Sequence, residues 1–211
     1  EDVIISTSSY TVEHRQLKVD GTNGVEADYV IAETETFTDI AVDSDVTAQI
    51  KTYTGFAHST AIESVLEGKV ASDGSLVLVV YYDRIIVDVT YNEDGGTAVD
   101  DTTVQYGSTI TLPGADSTTK SGFTLGGWEY NGTNYAPGET VTIESAEAVE
   151  IKAIWNEKGT VTYSIEYYTE ALDGTYELYK TDSTQSARID EVVSVDANAL
   201  EEIFGFVYDS E

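Results

Sequence analysis

The chain has 211 residues with 39 acidic against 10 basic side chains, a formal net charge of −29, no cysteine and two histidines. These counts exclude disulfide scaffolds, cysteine nucleophiles and multi-histidine metal centres, and a charge of this sign opposes nucleic acid and anionic membranes. No apolar run approaches the ~18 residues of a membrane span, while 41% hydrophobic residues, 15 tyrosines among them, suffice to build cores.

In chain order, residues 1–7 are short and β-prone, and read as a linker or an edge strand. Alternating or β-branched runs then predict strands over Tyr10–Lys18 and Tyr29–Thr38. Asp43 or Ser44 is placed to cap a short helix over Asp45–Lys51. Further strands are expected over Leu76–Tyr82, Ile86–Tyr91, Ser108–Leu112, Val141–Glu144, Val149–Trp155, Thr160–Tyr168 and Tyr176–Thr181. A second helix is expected over Glu191–Ala199, capped by Asp190. Turns are signalled at Asp20-Gly21, Asp73-Gly74, Asp94-Gly95-Gly96, Asn131-Gly132, Pro137-Gly138 and Asp173-Gly174.

Two stretches repeat each other. Tyr10-Thr-Val-Glu-His14, Val19-Asp-Gly-Thr22 and Tyr29-Val-Ile-Ala-Glu-Thr34 return as Tyr163-Ser-Ile-Glu-Tyr167, Leu172-Asp-Gly-Thr175 and Tyr176-Glu-Leu-Tyr-Lys-Thr181. The first copy carries an insertion around Asn23–Asp28. Three modules follow, over 8–85, 86–156 and 157–211, with net charges of −8, −9 and −10. Acidity so evenly spread reads as a solvating surface and not as an acidic tail. A strand pair, a short helix and a second strand pair define an α+β, strand-dominated fold of tandem β-grasp-like (ubiquitin-like) modules, expected as an elongated array.

The first module, with Tyr10-Thr-Val-Glu-His14, Thr34-Glu-Thr36, Lys51-Thr-Tyr-Thr-Gly-Phe56, Ala71-Ser-Asp-Gly-Ser-Leu-Val-Leu78 and Tyr81-Tyr-Asp-Arg84, resembles the MucBP-type repeats of Gram-positive surface proteins. The middle module reads Val89-Thr-Tyr-Asn92, Gly95-Gly-Thr97, Tyr106-Gly-Ser-Thr-Ile-Thr-Leu112, Gly122-Phe-Thr-Leu-Gly-Gly-Trp128, Tyr135-Ala-Pro-Gly-Glu-Thr-Val141 and Ala153-Ile-Trp-Asn156. It is similar to the Listeria–Bacteroides repeat, the B-repeat of internalin-type proteins, with Asp116–Lys120 standing where a Pro- or Arg-containing stretch belongs. The third module resembles a partial second MucBP repeat without a counterpart of Ala71–Asp83. Its remaining strands are expected to follow in a longer chain or to come from another chain. These resemblances imply an extracellular, wall-associated protein with mucin, glycan or surface-protein partners.

Site chemistry is sparse. Trp128, Tyr130 and Tyr135 are the candidate ligand-binding residues, an aromatic platform for a sugar ring; against this, Trp128 and Trp155 are expected to anchor a core. Asp43-Ser-Asp45, Asn92-Glu-Asp94 and Asp100-Asp101 offer oxygen ligands, but none fits an EF-hand spacing. No cofactor is called for beyond adventitious calcium. His14 and His58 are read as satisfied or exposed side chains and not as catalytic bases, since no spacing nominates a triad and no Gly-x-Ser-x-Gly elbow exists. The sequence therefore points to a non-enzymatic stalk or adhesin segment. An accessory carbohydrate-binding region and a self-associating filament subunit are the alternatives.

Overall fold

The computed structural model describes residues 6–195 and 205–207. Fifteen strands follow in order: β1 Thr7–Leu17, β2 Tyr29–Ala41, β3 Asp45–Thr47, β4 Phe56–His58, β5 Glu67–Lys69, β6 Val77–Arg84, β7 Ile86–Asn92, β8 Thr102–Gln105, β9 Thr109–Thr111, β10 Phe123–Tyr130, β11 Thr133–Tyr135, β12 Thr140–Thr142, β13 Val149–Glu157, β14 Thr160–Glu170 and β15 Tyr176–Arg188. The chain is strand-dominated. Among the described residues the only helical turn is a 3-10 turn at Glu26–Asp28.

Two compact units emerge. One comprises Glu1–Thr90, Asp100–Leu112 and Thr140–Ile151, and the other Tyr91–Val99, Pro113–Glu139 and Lys152–Glu211. The chain passes from one to the other within β7 and β13.

In the first unit, β1 lies between an antiparallel β2 and a parallel β6, and β4 pairs antiparallel with β6. Parallel neighbours need a crossover of a dozen or more residues. Here that crossover contains the short β3–β5 pair and β4. The helix expected over Asp45–Lys51 is absent, for identifiable reasons. Asp43 sits at φ 66, in the left-handed region, and so cannot serve as an N-cap. Ser44 turns its hydroxyl back onto the Ala41 carbonyl at 2.6 Å. The Asp43 and Val70 amides then close the chain onto β5, and Val46 and Ala48 point inward with a strand's period of two. Of the second expected helix, residues 191–195 are irregular, and 196–199 lie outside the described residues, as do 1–5.

The first module's sheet packs on both faces. Tyr10, Val12, Leu78, Val80 and Tyr82 form one cluster with Ala48 and Val70. Leu17, Tyr29 and Tyr81 form a second, against Ile62 and Val79. A bulge in the β1–β2 register between His14 and Arg15 makes this possible. It skips Ala32, so Glu33 and Phe37 share the face of His14 while Ile31 and Tyr29 share that of Leu17. One strand thereby serves two cores. Tyr81 and Tyr82 lie on opposite faces of β6, and both are buried.

The unit also contains the β7–β8 and β9–β12 antiparallel pairs. Arg84 ties these segments together: its Nε donates to the Leu17 carbonyl at 2.8 Å, its Nη1 to the Tyr106 carbonyl at 2.7 Å, and its guanidinium covers the Phe56 ring at 4.8 Å. Gly55 is required beneath, because any β-carbon there would enter the Tyr106 ring.

In the second unit, β10 pairs with β11 and β13, and β14 with β15. The β10–β11 turn has Asn131 at φ 50 and Gly132 at φ 74, the double left-handed conformation of a type I′ hairpin. Hairpin β14–β15 matches β1–β2 closely. Each has strands of 11 and 13 residues. The bulge between Tyr167 and Tyr168, which skips Tyr179, is the counterpart of the one at His14–Arg15. The connection is longer in the first copy, where Glu26–Asp28 intervenes, and the second irregularity falls between Ser8 and Tyr10 in one hairpin and between Tyr163 and Ile165 in the other.

Candidate functional site

The aromatic trio of the middle segment is set by two strands. Trp128 faces Tyr135 across the β10–β11 pair, and Tyr130 faces Thr133. Alternation places all three rings on one side. That side is not open to a sugar at Trp128, which is 0% exposed. Its indole N–H donates to the Pro113 carbonyl at 2.9 Å and its ring meets Tyr91 edge-on at 5.4 Å. Tyr130 and Tyr135 are half-buried. The preceding glycines have a steric origin: a β-carbon on Gly127 would enter the Tyr135 carbonyl, and one on Gly126 would meet the Asn156 amide at 2.6 Å. Trp155 is a similar anchor. Its N–H donates to the Glu93 carbonyl at 2.8 Å, and Gly96 leaves room for its ring, where a β-carbon would sit 2.6 Å away. Both tryptophans thus take the anchoring role, and no flat platform of three exposed rings forms.

A polar network absent from the sequence reading lies in the first module. His14 is fully enclosed, yet both ring nitrogens are engaged: Nδ1 with the Tyr82 hydroxyl at 3.0 Å and Nε2 with Glu35 at 3.0 Å. The Tyr82 oxygen already accepts the Lys51 amide at 2.9 Å. The Glu35 carboxylate can only accept, so Nε2 carries a proton, and in the neutral ring Nδ1 is left to accept from the Tyr82 hydroxyl. Lys51 binds Glu33 at 2.6 Å and Glu35 at 2.8 Å, while the Tyr53 hydroxyl donates to Glu33 at 2.7 Å. A hydroxyl–imidazole–carboxylate chain is the order of a proton relay, but Tyr82 is 1% exposed. No substrate reaches its oxygen, and the chain fastens β1, β2 and β6 to the crossover. The second histidine, His58, is half-buried and bonds Ser64 at 3.1 Å.

The network fixes a response to pH. Hydrogen bonds from Lys51, then from Tyr53, hold Glu33 below the ordinary 4.5. Bonds from Lys51, then His14, do the same for Glu35. Groups with depressed folded values stabilise the fold above their unfolded value and lose that contribution as pH falls through the folded one. Denaturant midpoints for the first unit are therefore expected to fall as pH drops below 4.5. In Lys51→Gln that acid limb is expected to flatten; equal slopes in both proteins would refute the assignment.

Two of the carboxylates singled out for calcium are engaged by lysines. Asp45 pairs with Lys69 at 2.9 Å, and Asp94 lies 3.6 Å from Lys120 and 3.8 Å from Lys152. Among the described residues no group of three or more histidines and carboxylates converges as a metal site would require. One shallow groove of about 470 Å³ runs past Asp20, Gln105, Ser108 and Thr109. The Gln105 amide there donates to the Gly21 carbonyl at 3.3 Å, while its oxygen is enclosed and finds no partner among the described residues. Because that oxygen is closed off, the groove offers a ligand no acceptor from it.

The architecture is that of a strand-rich, repeat-built segment with two tryptophan anchors. Residues 88–148 match the family of the Listeria-Bacteroides repeat domain, so the middle segment is a repeat of this type. That family occurs in bacterial surface proteins. Comparison with curated proteins gives no match to the chain. Among the described residues no helix is long and apolar enough to cross a membrane.

Proposed function

We propose that the chain is a non-enzymatic extracellular segment of a bacterial surface protein, a wall-associated stalk or adhesin piece that projects a binding domain. The observation that carries this reading is a surface-protein repeat at 88–148 set between two copies of one hairpin. The flanking copies are taken as MucBP-like. The first has the mixed sheet of a β-grasp-like module, a central parallel pair with antiparallel strands outside it, although its crossover is irregular and not helical. Adhesion to mucin or another glycan would fall to other parts of such a protein, because Trp128 offers no face to a sugar. The Arg84 clamp supports a spacer role, since it fastens β6 and Leu17 to Tyr106 across the module junction. Antibodies raised to this chain are expected to label intact cells that make the parent protein. Labelling only after permeabilisation would overturn the proposal.

A further inference from the structure

One turn recurs where β2, β8 and β15 end. An amide returns to the carbonyl just ahead of the hairpin, Val42 to Ser6 at 2.9 Å, Tyr106 to Ile85 at 2.9 Å and Ile189 to Gly159 at 2.8 Å. The next residue is left-handed each time, Asp43 at φ 66, Gly107 at φ 81 and Asp190 at φ 61. The amide after it closes the turn, Ser44 onto Ala41, Ser108 onto Gln105 and Glu191 onto Arg188. In the first and middle segments even the anchorage is the same. Asp43 and Gly107 donate to the Val70 and Ile143 carbonyls, whose own amides return to Ser44 and Ser108. The turn therefore belongs to the hairpin it closes.

A second feature recurs where the chain leaves the first and the middle segment. Gly55-Phe56 leads into β4 and Gly122-Phe123 into β10, with both glycines at φ 79. Phe56 pairs with Arg84 at the end of β6, and Phe123 with Glu157 at the end of β13. The glycine carbonyl takes the amide of the departing residue, Ile85 at 3.0 Å and Lys158 at 2.9 Å. The carbonyl of Ile85, or of Gly159 one residue further on, then receives the returning amide of the turn. A side chain of the turn covers each glycine: a β-carbon on Gly55 would lie 2.2 Å from the Tyr106 ring, and one on Gly122 3.1 Å from Arg188. A cation also sits on each phenylalanine, Arg84 over Phe56 at 4.8 Å and Arg188 over Phe123 at 5.1 Å. The remaining side chains differ. Arg84 donates to the Tyr106 carbonyl at the first joint, whereas Arg188 pairs with Glu157 and Lys158 with Asp190 at the second.

We propose that the left-handed Gly-Phe pair is a docking site, that its partner is the turn closing the first hairpin of the following repeat, and that docking passes stability from one repeat to the next. The shared backbone bonds carry this assignment, since the two joints keep them while exchanging their ion pairs and polar contacts. The turn arrives preformed, so docking orders little new chain. The connection is Ile85 alone at the first joint and Lys158-Gly159 at the second. Each is held by the glycine on one side and by the turn on the other, which leaves it little freedom. Neighbours joined in this way share stability as the units of a linear repeat array do. The coupling acts alike whether or not the chain lies on a cell surface.

Amide exchange of the full chain, followed by NMR, tests the coupling at each joint. Val80→Ala loosens the core of the first module, where Val80 is fully buried. It is expected to speed exchange at the Ile143 amide of the middle segment about fivefold or more. Tyr106→Ala uncovers Gly55 without altering a residue of the first module, and in that background Val80→Ala is expected to leave the Ile143 rate unmoved. The half-buried Val79 provides a milder variant, Val79→Ala, for the same comparison should Val80→Ala not fold. At the second joint, Gly122→Ala forces a β-carbon onto a left-handed residue and against Arg188. Exchange at the Lys158 and Ile189 amides is expected to rise about tenfold, while Ile85 and Tyr106 hold. Three results would overturn the proposal: an Ile143 rate indifferent to loosening of the first module, an equal rise in both backgrounds, or unchanged rates at Lys158 and Ile189 in Gly122→Ala.

Discussion

Replacing Trp128 with alanine is expected to destabilise the protein by about 3–5 kcal/mol, the range for emptying a fully enclosed aromatic site. The side chain is 0% exposed and presses edge-on against Tyr91. Its removal also strips the Pro113 carbonyl of its indole donor. Trp128→Phe keeps most of the volume and loses that bond, so its cost is expected near 1–3 kcal/mol. Urea unfolding followed by circular dichroism measures both, and fluorescence of Trp128 in a Trp155→Phe background reports the site directly. A loss below about 1 kcal/mol for Trp128→Ala would refute the anchoring role.

The second large effect is expected at His14. His14→Phe fills nearly the same space but removes the acceptor of the Tyr82 proton and the donor to Glu35. Leaving enclosed polar atoms without partners costs about 1–3 kcal/mol, and a loss of about 2–3 kcal/mol is expected. Tyr82→Phe removes the same bond from the other side and also the acceptor of the Lys51 amide. The double variant is then expected to lose about 1 kcal/mol less than the two single losses together. Additive losses in the denaturant cycle would show that the bond carries no coupling.

Much of the strand order was legible because it rests on local signals. The runs around Tyr10, Tyr29, Val77, Ile86, Val149, Thr160 and Tyr176 all form strands, and Asn131-Gly132 forms the tight hairpin its residues demand. The repeat of Tyr10–Thr34 in Tyr163–Thr181 proved to be a repeat of a whole hairpin. What escaped was decided by distant partners. The stretch Asp45–Lys51 has a helix-like composition, but Val70 and β5 hold its start in an extended form. The bulge opposite His14–Arg15 has no mark in the residues themselves, since Ala32 is skipped only because Tyr29 is needed on the second face. Glu33 and Glu35 look like solvated charges until Lys51 arrives from the crossover. Their spacing of two residues on a strand was the available hint that both face one side. Arg84 gave no signal at all, because its two acceptors are backbone carbonyls far apart in the chain.

The parallel pairing of β1 with β6 has a mechanical consequence. These are the first and last strands of the first module, so a tug on its two ends pulls β1 and β6 in opposite senses along their length. The six residue pairs from Thr11↔Val77 to Gln16↔Tyr82 are then loaded together, and the ladder must shear as one instead of unzipping a bond at a time. The His14–Tyr82 bond lies across that same seam, as does the hold of Arg84 on Leu17. A pull along the ends of the module is therefore expected to meet its full resistance at once, at the β1–β6 seam.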